Sequence, residues 1–429
     1  MRKRVLASML LATLLAISLV AAGCAPKEQT SDVVTVKIGA IFPLTGSAAA
    51  TGVKLKYAVE TAQEIINGEH PEIDLPLAKD AGLPGLGGAK VEFVFADHQA
   101  NPEVAKSEAE RLIENEDVVG LIGCYHSSCT KPASAAAETY GIPFVAGSSS
   151  SAALTERGLK YFVRIAPHDG KETEFFFEYL NYLNEKYDAG IKTVAMVYVD
   201  NEYGVHAAKM VDQWLEAKYA AQGYEKVADV KYPVAASNVD AEVQKVKAAD
   251  PDVIFHASYI NDMTMFVKAY KQFNVAPKAV ISYCGGFQDP QFIVNLGDDA
   301  NYFSGSNATI PAVIEKAEVL KKINEIYKSK SGVDFDGPSL EDFASAMVIA
   351  DAINQAGSTD GDAIMEVLKE ATFEAPYFMV GKIKFGEDGQ NEFSASFMTQ
   401  VLDGEYQAVW PEEAQTAEPV PDIPDWGDR

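Results

Sequence analysis

From Val34 to Tyr283 short apolar runs alternate with longer segments whose apolar residues recur at helical spacing, and few folds accommodate that order. Val34–Phe42 predicts a strand, Thr51–Asn67 a helix, Val91–Ala96 a strand, and Asn101–Glu116 a helix opened by Asn-Pro. Asparagine suits an N-cap and proline the first helical turn. Val118–Gly123 and Pro143–Ala146 read as strands flanking a helix over Lys131–Tyr140. Strand–helix–strand units in series imply a parallel sheet with helices on both faces.

Beyond Arg164 a second series of the same kind begins. It predicts helices over Glu172–Tyr187, Gly204–Gln222, Asn238–Ala248 and Asp262–Phe273, and strands over Thr193–Val199, Lys226–Tyr232, Val253–Ala257 and Ala279–Tyr283. Two doubly wound α/β lobes joined by three crossovers follow, each about the size of a domain. The expected division puts residues 33–165 with 305–379 in lobe 1 and 166–304 with 380–410 in lobe 2. Hinges are expected near Ile165–Pro167, Tyr302–Ser306 and Phe378–Gly381, with an acidic, proline-rich loose tail over 411–429.

The N-terminus bears on location. Arg2, Lys3 and Arg4 precede an apolar run from Val5 to Ala22, which ends in Ala21-Ala22-Gly23-Cys24. A basic start, apolar middle and small residues before a cut describe a signal peptide over 1–23. A cysteine at the cut looks like a bacterial lipobox, so Cys24 is expected to be acylated and residues 24–32 to form a tether. A membrane span is the competing reading of that run, but Ser8, Thr13 and Ser18 dilute it and Pro26 follows at once. Residues 1–23 carry three of the 36 basic residues and none of the 62 acidic ones, so the mature formal charge becomes −29. Such acidity repels nucleic acid and anionic headgroups, leaving contact with the bilayer to the Cys24 lipid alone.

In open parallel sheets, ligands sit beyond the carboxyl ends of the strands. In the first lobe those ends read Pro43-Leu44-Thr45-Gly46-Ser47, Cys124-Tyr125-His126-Ser127-Ser128 and Gly147-Ser148-Ser149-Ser150-Ser151. Each is rich in hydroxyls and opens a helix, whose free N–H groups suit a carboxylate or carbonyl. The second lobe offers Asp200-Asn201-Glu202-Tyr203-Gly204, Ser258-Tyr259 and Cys284-Gly285-Gly286-Phe287. Capping alone explains any one serine; three clusters at equivalent positions point to a ligand cleft. No Gly-x-Ser-x-Gly elbow, Cys-x-x-Cys or His-Glu-x-x-His occurs, so neither a hydrolase, a metal nor another cofactor is called for. A Cys124–Cys129 disulfide and free thiols are both compatible with export. Cys124, His126 and Cys284 are read as ordinary buried groups rather than as a metal site.

These residues resemble the type I periplasmic binding proteins of the branched-chain amino acid (Leu/Ile/Val-binding) class. The resemblance runs from Val34 to Trp410. It rests on Ile38-Gly39 with Pro43-Leu44-Thr45-Gly46, Asp97 with Asn101-Pro102, Gly123…Ser127-Ser128…Thr130…Pro132-Ala133, Gly141-Ile142-Pro143, Leu154-Thr155 and Asp200…Tyr203-Gly204. It implies a non-enzymatic, extracytoplasmic substrate-binding lipoprotein of an ABC importer, with a small ligand and permease subunits as partners. A ligand-sensing receptor component is the alternative. It also implies a ligand set: Ser127 for a carboxylate, with Tyr125 beside it; Ser148, Ser149 and Ser150; Tyr203 and Tyr259 closing from the second lobe; and Gly285. Amino-acid binders carry an acidic residue for the ligand ammonium where this chain has Gly285 or Gly286. The ligand is thus an amino acid, an amide or urea, or a small carboxylate, with Glu341, Asp342 or Glu202 as the replacement acids to locate.

Overall fold

The structure is a computed structural model that describes residues 34–429; the expected signal peptide, Cys24 and the tether over 24–32 lie outside the described residues. Among the described residues no helix is long and apolar enough to cross a membrane.

Five strands form the first sheet: β1 (Thr35–Phe42), β2 (Lys90–Asp97), β3 (Leu121–Gly123), β4 (Phe144–Ala146) and β5 (Phe162–Arg164). They run parallel in the order β2-β1-β3-β4-β5. The helices between them are α1 (Ala49–Asn67), α2 (Pro102–Glu116), α3 (Ser127–Tyr140) and the single turn α4 (Ala153–Glu156). Strand side chains alternate between faces, so Ile38, Ala40 and Phe42 of β1 enter one apolar cluster and Ile41 the other. The Asn101 side chain caps α2 by accepting from the Glu103 and Val104 N–H groups, as Asn-Pro predicts.

The second sheet begins after α5 (Asp169–Tyr187). Strands β6 (Thr193–Val199), β7 (Glu225–Tyr232), β8 (Val253–Ala257) and β9 (Ala279–Ser282) alternate with α6 (Glu202–Trp214), α7 (Asp240–Ala249) and α8 (Ile260–Phe273). Short α9 (Gln291–Leu296) leads to β10 (Ser304–Asn307). The chain then passes through α10 (Pro311–Ile314) to α11 (Glu318–Ser331), α12 (Gly337–Ala356) and α13 (Gly361–Glu370). A small ribbon, β11 (Phe373–Glu374) with β12 (Lys382–Ile383), precedes the closing hairpin β13 (Phe397–Leu402) and β14 (Glu405–Trp410). The second sheet has the order β14-β13-β10-β9-β8-β6-β7.

Two lobes are therefore present, but their seams differ from the sequence-based division. β10 pairs parallel with β9 and antiparallel with β13, which keeps residues 304–307 in the second sheet rather than starting lobe 1 at 305. Ile383 and Phe385 pack in the first core beside Phe373 and Tyr377, so the third crossing lies between Phe385 and β13 rather than near Phe378–Gly381. Residues 411–429 are docked instead of loose. Ile423 is buried, the Val420 N–H donates to Gln400 Oε1 at 2.8 Å, and Trp426 Nε1 donates to the Val275 carbonyl at 2.8 Å. Ile423 joins the apolar core of the second lobe and Trp426 packs against it, which docks this acidic segment there.

Candidate ligand cleft between the lobes

Seven of the eight residues singled out in the sequence line one narrow pocket between the lobes, with a cavity of only about 10 Å³ in this arrangement. Tyr125, Ser127, Ser148 and Ser150 come from the first lobe, and Tyr203, Tyr259 and Gly285 from the second; Cys284 and Pro338 complete the wall. Ser149 is the exception. Its hydroxyl lies 2.6 Å from Thr130 Oγ1, and Thr130 in turn accepts the Cys124 N–H, so Ser149 braces the floor from behind.

The chain path explains this convergence. β3 ends in Gly123 with φ +125°, where a Cβ would stand 2.2 Å from the Ile41 carbonyl oxygen; only glycine fits so close to β1. Tyr125 follows in the left-handed region at φ 78°, and α3 starts at Ser127. The first N–H groups of α3 have no partner within the helix and carry its positive dipole end. Ser127 Oγ accepts the Ser151 N–H at 3.2 Å, which ties the two serine-rich strand ends together and leaves the Ser127 proton available to a ligand.

Three tyrosines meet in the cleft, Tyr125 from the first lobe and Tyr203 and Tyr259 from the second. Tyr259 lies 5.8 Å from Tyr125 and 5.5 Å from Tyr203, ring centre to ring centre, and Asn201 Nδ2 donates to its hydroxyl at 3.4 Å. The Tyr203 hydroxyl donates to the Cys284 carbonyl. Burial pushes both the Tyr203 hydroxyl and the Cys284 thiol well above their usual pKa, so each stays protonated. Every residue lining the cavity is thus uncharged. Outside it, Lys131 of α3 pairs with Glu202 of α6 at 2.8 Å and links the lobes at the rim.

The carboxylates sought in the sequence are all elsewhere. Glu202 is held by Lys131. Asp342 sits behind Ser148, accepting its hydroxyl at 2.7 Å, and burial raises its pKa to about 7. Glu341 lines a separate cavity with Ala166, Phe378 and Asn391, and burial followed by the charge of Glu172 pushes its pKa up. Glu172, which the sequence reading missed, is buried on α5 and accepts from Ser306 Oγ; burial raises it to about 7. Gly285 itself has φ +109°, and a Cβ there would lie 3.1 Å from the Ser258 carbonyl oxygen. Any side chain at this position is strained by that backbone conformation and crowds the Ser258 carbonyl.

Cys124, Cys129 and Cys284 are free thiols. His98, His126 and Cys129 bring one nitrogen or sulfur each within 4.8 Å of one another. His98 is already committed, with Nε2 at 2.9 Å from the Cys124 carbonyl and Nδ1 accepting the Ala100 N–H. Burial, with His98 nearby, lowers His126 to about 3, and burial raises Cys129 to about 12. The trio is neutral packing beneath the tyrosines.

A two-lobed α/β chain with an uncharged cleft between its lobes defines a ligand-binding protein, and sequence comparison names the class. The profile of the periplasmic binding protein family matches residues 35–405, and the chain belongs to that family of substrate-binding proteins. The Leu/Ile/Val-binding protein homolog 7 of Brucella suis biovar 1 (strain 1330) is 27% identical over 418 residues, covering 94% of this chain and 97% of that one. Among solved structures, a leucine-binding protein of Thermotoga maritima superposes with a TM-score of 0.72 at 22% identity, over 88% of this chain and 99% of its own. An ABC-transporter solute-binding protein of Rhodopseudomonas palustris BisB5, solved with 3,4-dihydroxybenzoic acid, gives 0.72 at 22% identity, over 92% and 99%.

Proposed function

We propose that this protein is the extracytoplasmic, Cys24-anchored capture subunit of an ABC importer and that its ligand is a small carboxylic acid without an α-ammonium group. The observation that carries this reading is the cavity wall: serine hydroxyls, Tyr125 and a helix N-terminus from the first lobe, Tyr203 and Tyr259 from the second, and no carboxylate among the lining residues. A carboxylate there meets the Ser127 hydroxyl and the free N–H groups of α3, each a charge-assisted bond. The ring of an aromatic acid, or a branched aliphatic chain, lies against Tyr125, Tyr203 and Tyr259. A zwitterionic amino acid brings an ammonium that finds no anionic partner, and leaving that charge desolvated is costly.

The ligands of the two solved relatives span both chemistries, leucine and a dihydroxybenzoate, so the choice rests on this cavity. The first lobe takes the ligand, the second closes with Tyr203 and Tyr259, and the closed form presents both lobes to a permease. Closure needs tighter binding in the closed arrangement than in the open one. No bond is made or broken.

A thermal-shift panel matched by headgroup tests the ligand class: benzoate against benzamide, 4-methylpentanoate against leucine. At 100 times Kd a ligand adds ~2.7 kcal/mol of stability. Stabilisation by acids and not by their amide or amino-acid counterparts is the expected pattern. Stabilisation by leucine above 4-methylpentanoate overturns the ligand class.

A further inference from the structure

Two titratable residues of α6 reach the first lobe from one side of the helix. Glu202 and His206 stand four apart in sequence, which stacks them one turn above the other. Glu202 pairs with Lys131 of α3 at 2.8 Å. His206 Nε2 lies 3.7 Å from Glu156 Oε2 on α4. Helices α3 and α4 belong to the first lobe and α6 to the second, so both contacts cross the seam.

Within its own lobe the His206 ring is buried, 7% exposed, and firmly held. Its Nδ1 stands 3.2 and 3.1 Å from the two carboxylate oxygens of Asp169, the first residue of α5. Asp169 also accepts the Ala152 N–H at 3.0 Å, and its own N–H donates to the Ser150 carbonyl at 2.8 Å. The imidazole is thereby tied to the serine segment of the cleft wall. A neutral ring that gives its Nδ1 proton to Asp169 keeps a lone pair on Nε2. That nitrogen is buried without a hydrogen-bond partner, and across the seam it meets a carboxylate. Lone pair and carboxylate repel; protonation at Nε2 turns the same contact into an attraction.

Other charges around the ring are few. Burial opposes a charged ring here, but the hydrogen bond and charge of Asp169, followed by the charge of Glu156, outweigh it and raise the pKa above the usual 6.5. Lys209 on α6 acts against them. Burial, followed by the charge of Arg164, lowers His168 at the start of α5 to about 3, so it stays neutral. Lys131 of α3 is occupied by Glu202.

We propose that His206 is a proton-operated latch between the lobes: as imidazolium it bridges Asp169 of the second lobe to Glu156 of the first and holds the closed arrangement, and on losing its proton it lets go. Asp169 shares a lobe with His206 and accompanies it in either arrangement. Glu156 reaches the ring only across the seam, so closing and proton uptake favour one another. Closure is then strongest at acidic pH and weakens as pH rises through the His206 titration. The ion pair is partly exposed, and the expected change in the ratio of closed to open molecules is about two- to fivefold. The inference does not depend on which ligand the cleft takes.

The test uses the purified, ligand-free protein. Imidazole 15N NMR follows His206 in the parent and in Glu156→Gln, with the resonance assigned by its loss in His206→Gln. Small-angle X-ray scattering at about pH 6 and about pH 8.5, either side of the imidazole range, follows lobe separation. His206 is expected to titrate at a lower pH in Glu156→Gln than in the parent. The parent is expected to show a larger radius of gyration at the alkaline pH, and both variants the same radius at either pH. Glu156 is exposed on its side chain, so this variant keeps the fold even where His206→Gln disturbs Asp169. Glu172 and Asp342, which burial raises to about 7, remain in both variants, so a pH response that survives there belongs to them. The proposal is overturned by such a surviving response, by a His206 titration that Glu156→Gln leaves unmoved, or by a parent whose radius is the same at both pH values.

Discussion

Replacing Gly285 tests how closely the cleft wall is built. Its φ of +109° suits no L side chain, and a Cβ would crowd the Ser258 carbonyl oxygen and the hydroxyls of Tyr203 and Tyr125. Backbone strain of this kind costs about 1–3 kcal/mol. Gly285→Ala should therefore lower the thermal midpoint and weaken the cleft ligand at least tenfold, read by calorimetry; parental affinity in a folded variant contradicts it. Glu172 sets a pH dependence. Its folded pKa, raised to about 7 chiefly by burial, stands above the unfolded value of 4.5, so the folded protein holds more protons between these limits. Stability then falls as pH rises from about 4.5 to 7, by on the order of 3 kcal/mol for this group. Glu172→Gln should flatten that slope in denaturant titrations across the pH range; an unchanged slope means the carboxyl is already ionised. Glu172 was not legible as a functional neighbour because its i, i+3 spacing on α5 is that of any buried helix position. Ser127, Tyr203 and Tyr259 were legible because strand ends announce themselves in sequence.

Among the elements, α12 carries the most concentrated set of constraints. Its N-cap Asp336 accepts the Ser339 N–H through one oxygen and Lys54 Nζ through the other, while Lys54 also reaches Asp289 of the second lobe. Asp336→Ala removes a cap and leaves Lys54 buried with one partner fewer. Losing a member of a buried ion pair costs about 3–5 kcal/mol, and we expect the lower end because Asp289 remains. Chemical denaturation measures it, and a loss under 1 kcal/mol contradicts this account of the helix start. Continuous apolar runs were read closely from sequence, β8 at Val253–Ala257 above all, which is buried along its whole length. β10 was not, because Ser-Gly-Ser-Asn has no apolar alternation and becomes a strand only between β9 and β13. The helix expected to run to Gln222 leaves regular α geometry after Trp214, widening to a π turn over Leu215–Tyr219. The onset of α3 at Ser127 was hidden by its polar first turn and by Pro132 within the helix.

Across the whole molecule, polar links such as Lys131–Glu202, Lys54–Asp289, Thr51–Asp289 and Asn261 with the Ser47 carbonyl join the lobes and must break for them to part. Lys131 with Glu202 at the rim is half-exposed on the lysine side, and such pairs contribute about 0–1 kcal/mol. Lys131→Ala should speed ligand release a few-fold at low salt and have no effect at high salt, in stopped-flow dissociation; a salt-independent effect would mean the lysine acts through packing. The two-lobed plan was legible because helix and strand periods alternate regularly. The seams were not, since crossovers are fixed by long-range pairing that leaves no local signal. We propose that the uncharged cavity walled by Ser127 and the three tyrosines is where the ligand binds. Calorimetric titration of a stabilising carboxylate into the parent and Ser127→Ala tests it most directly. The account predicts one site per chain and at least a tenfold loss of affinity in Ser127→Ala; parental affinity in that variant would contradict it.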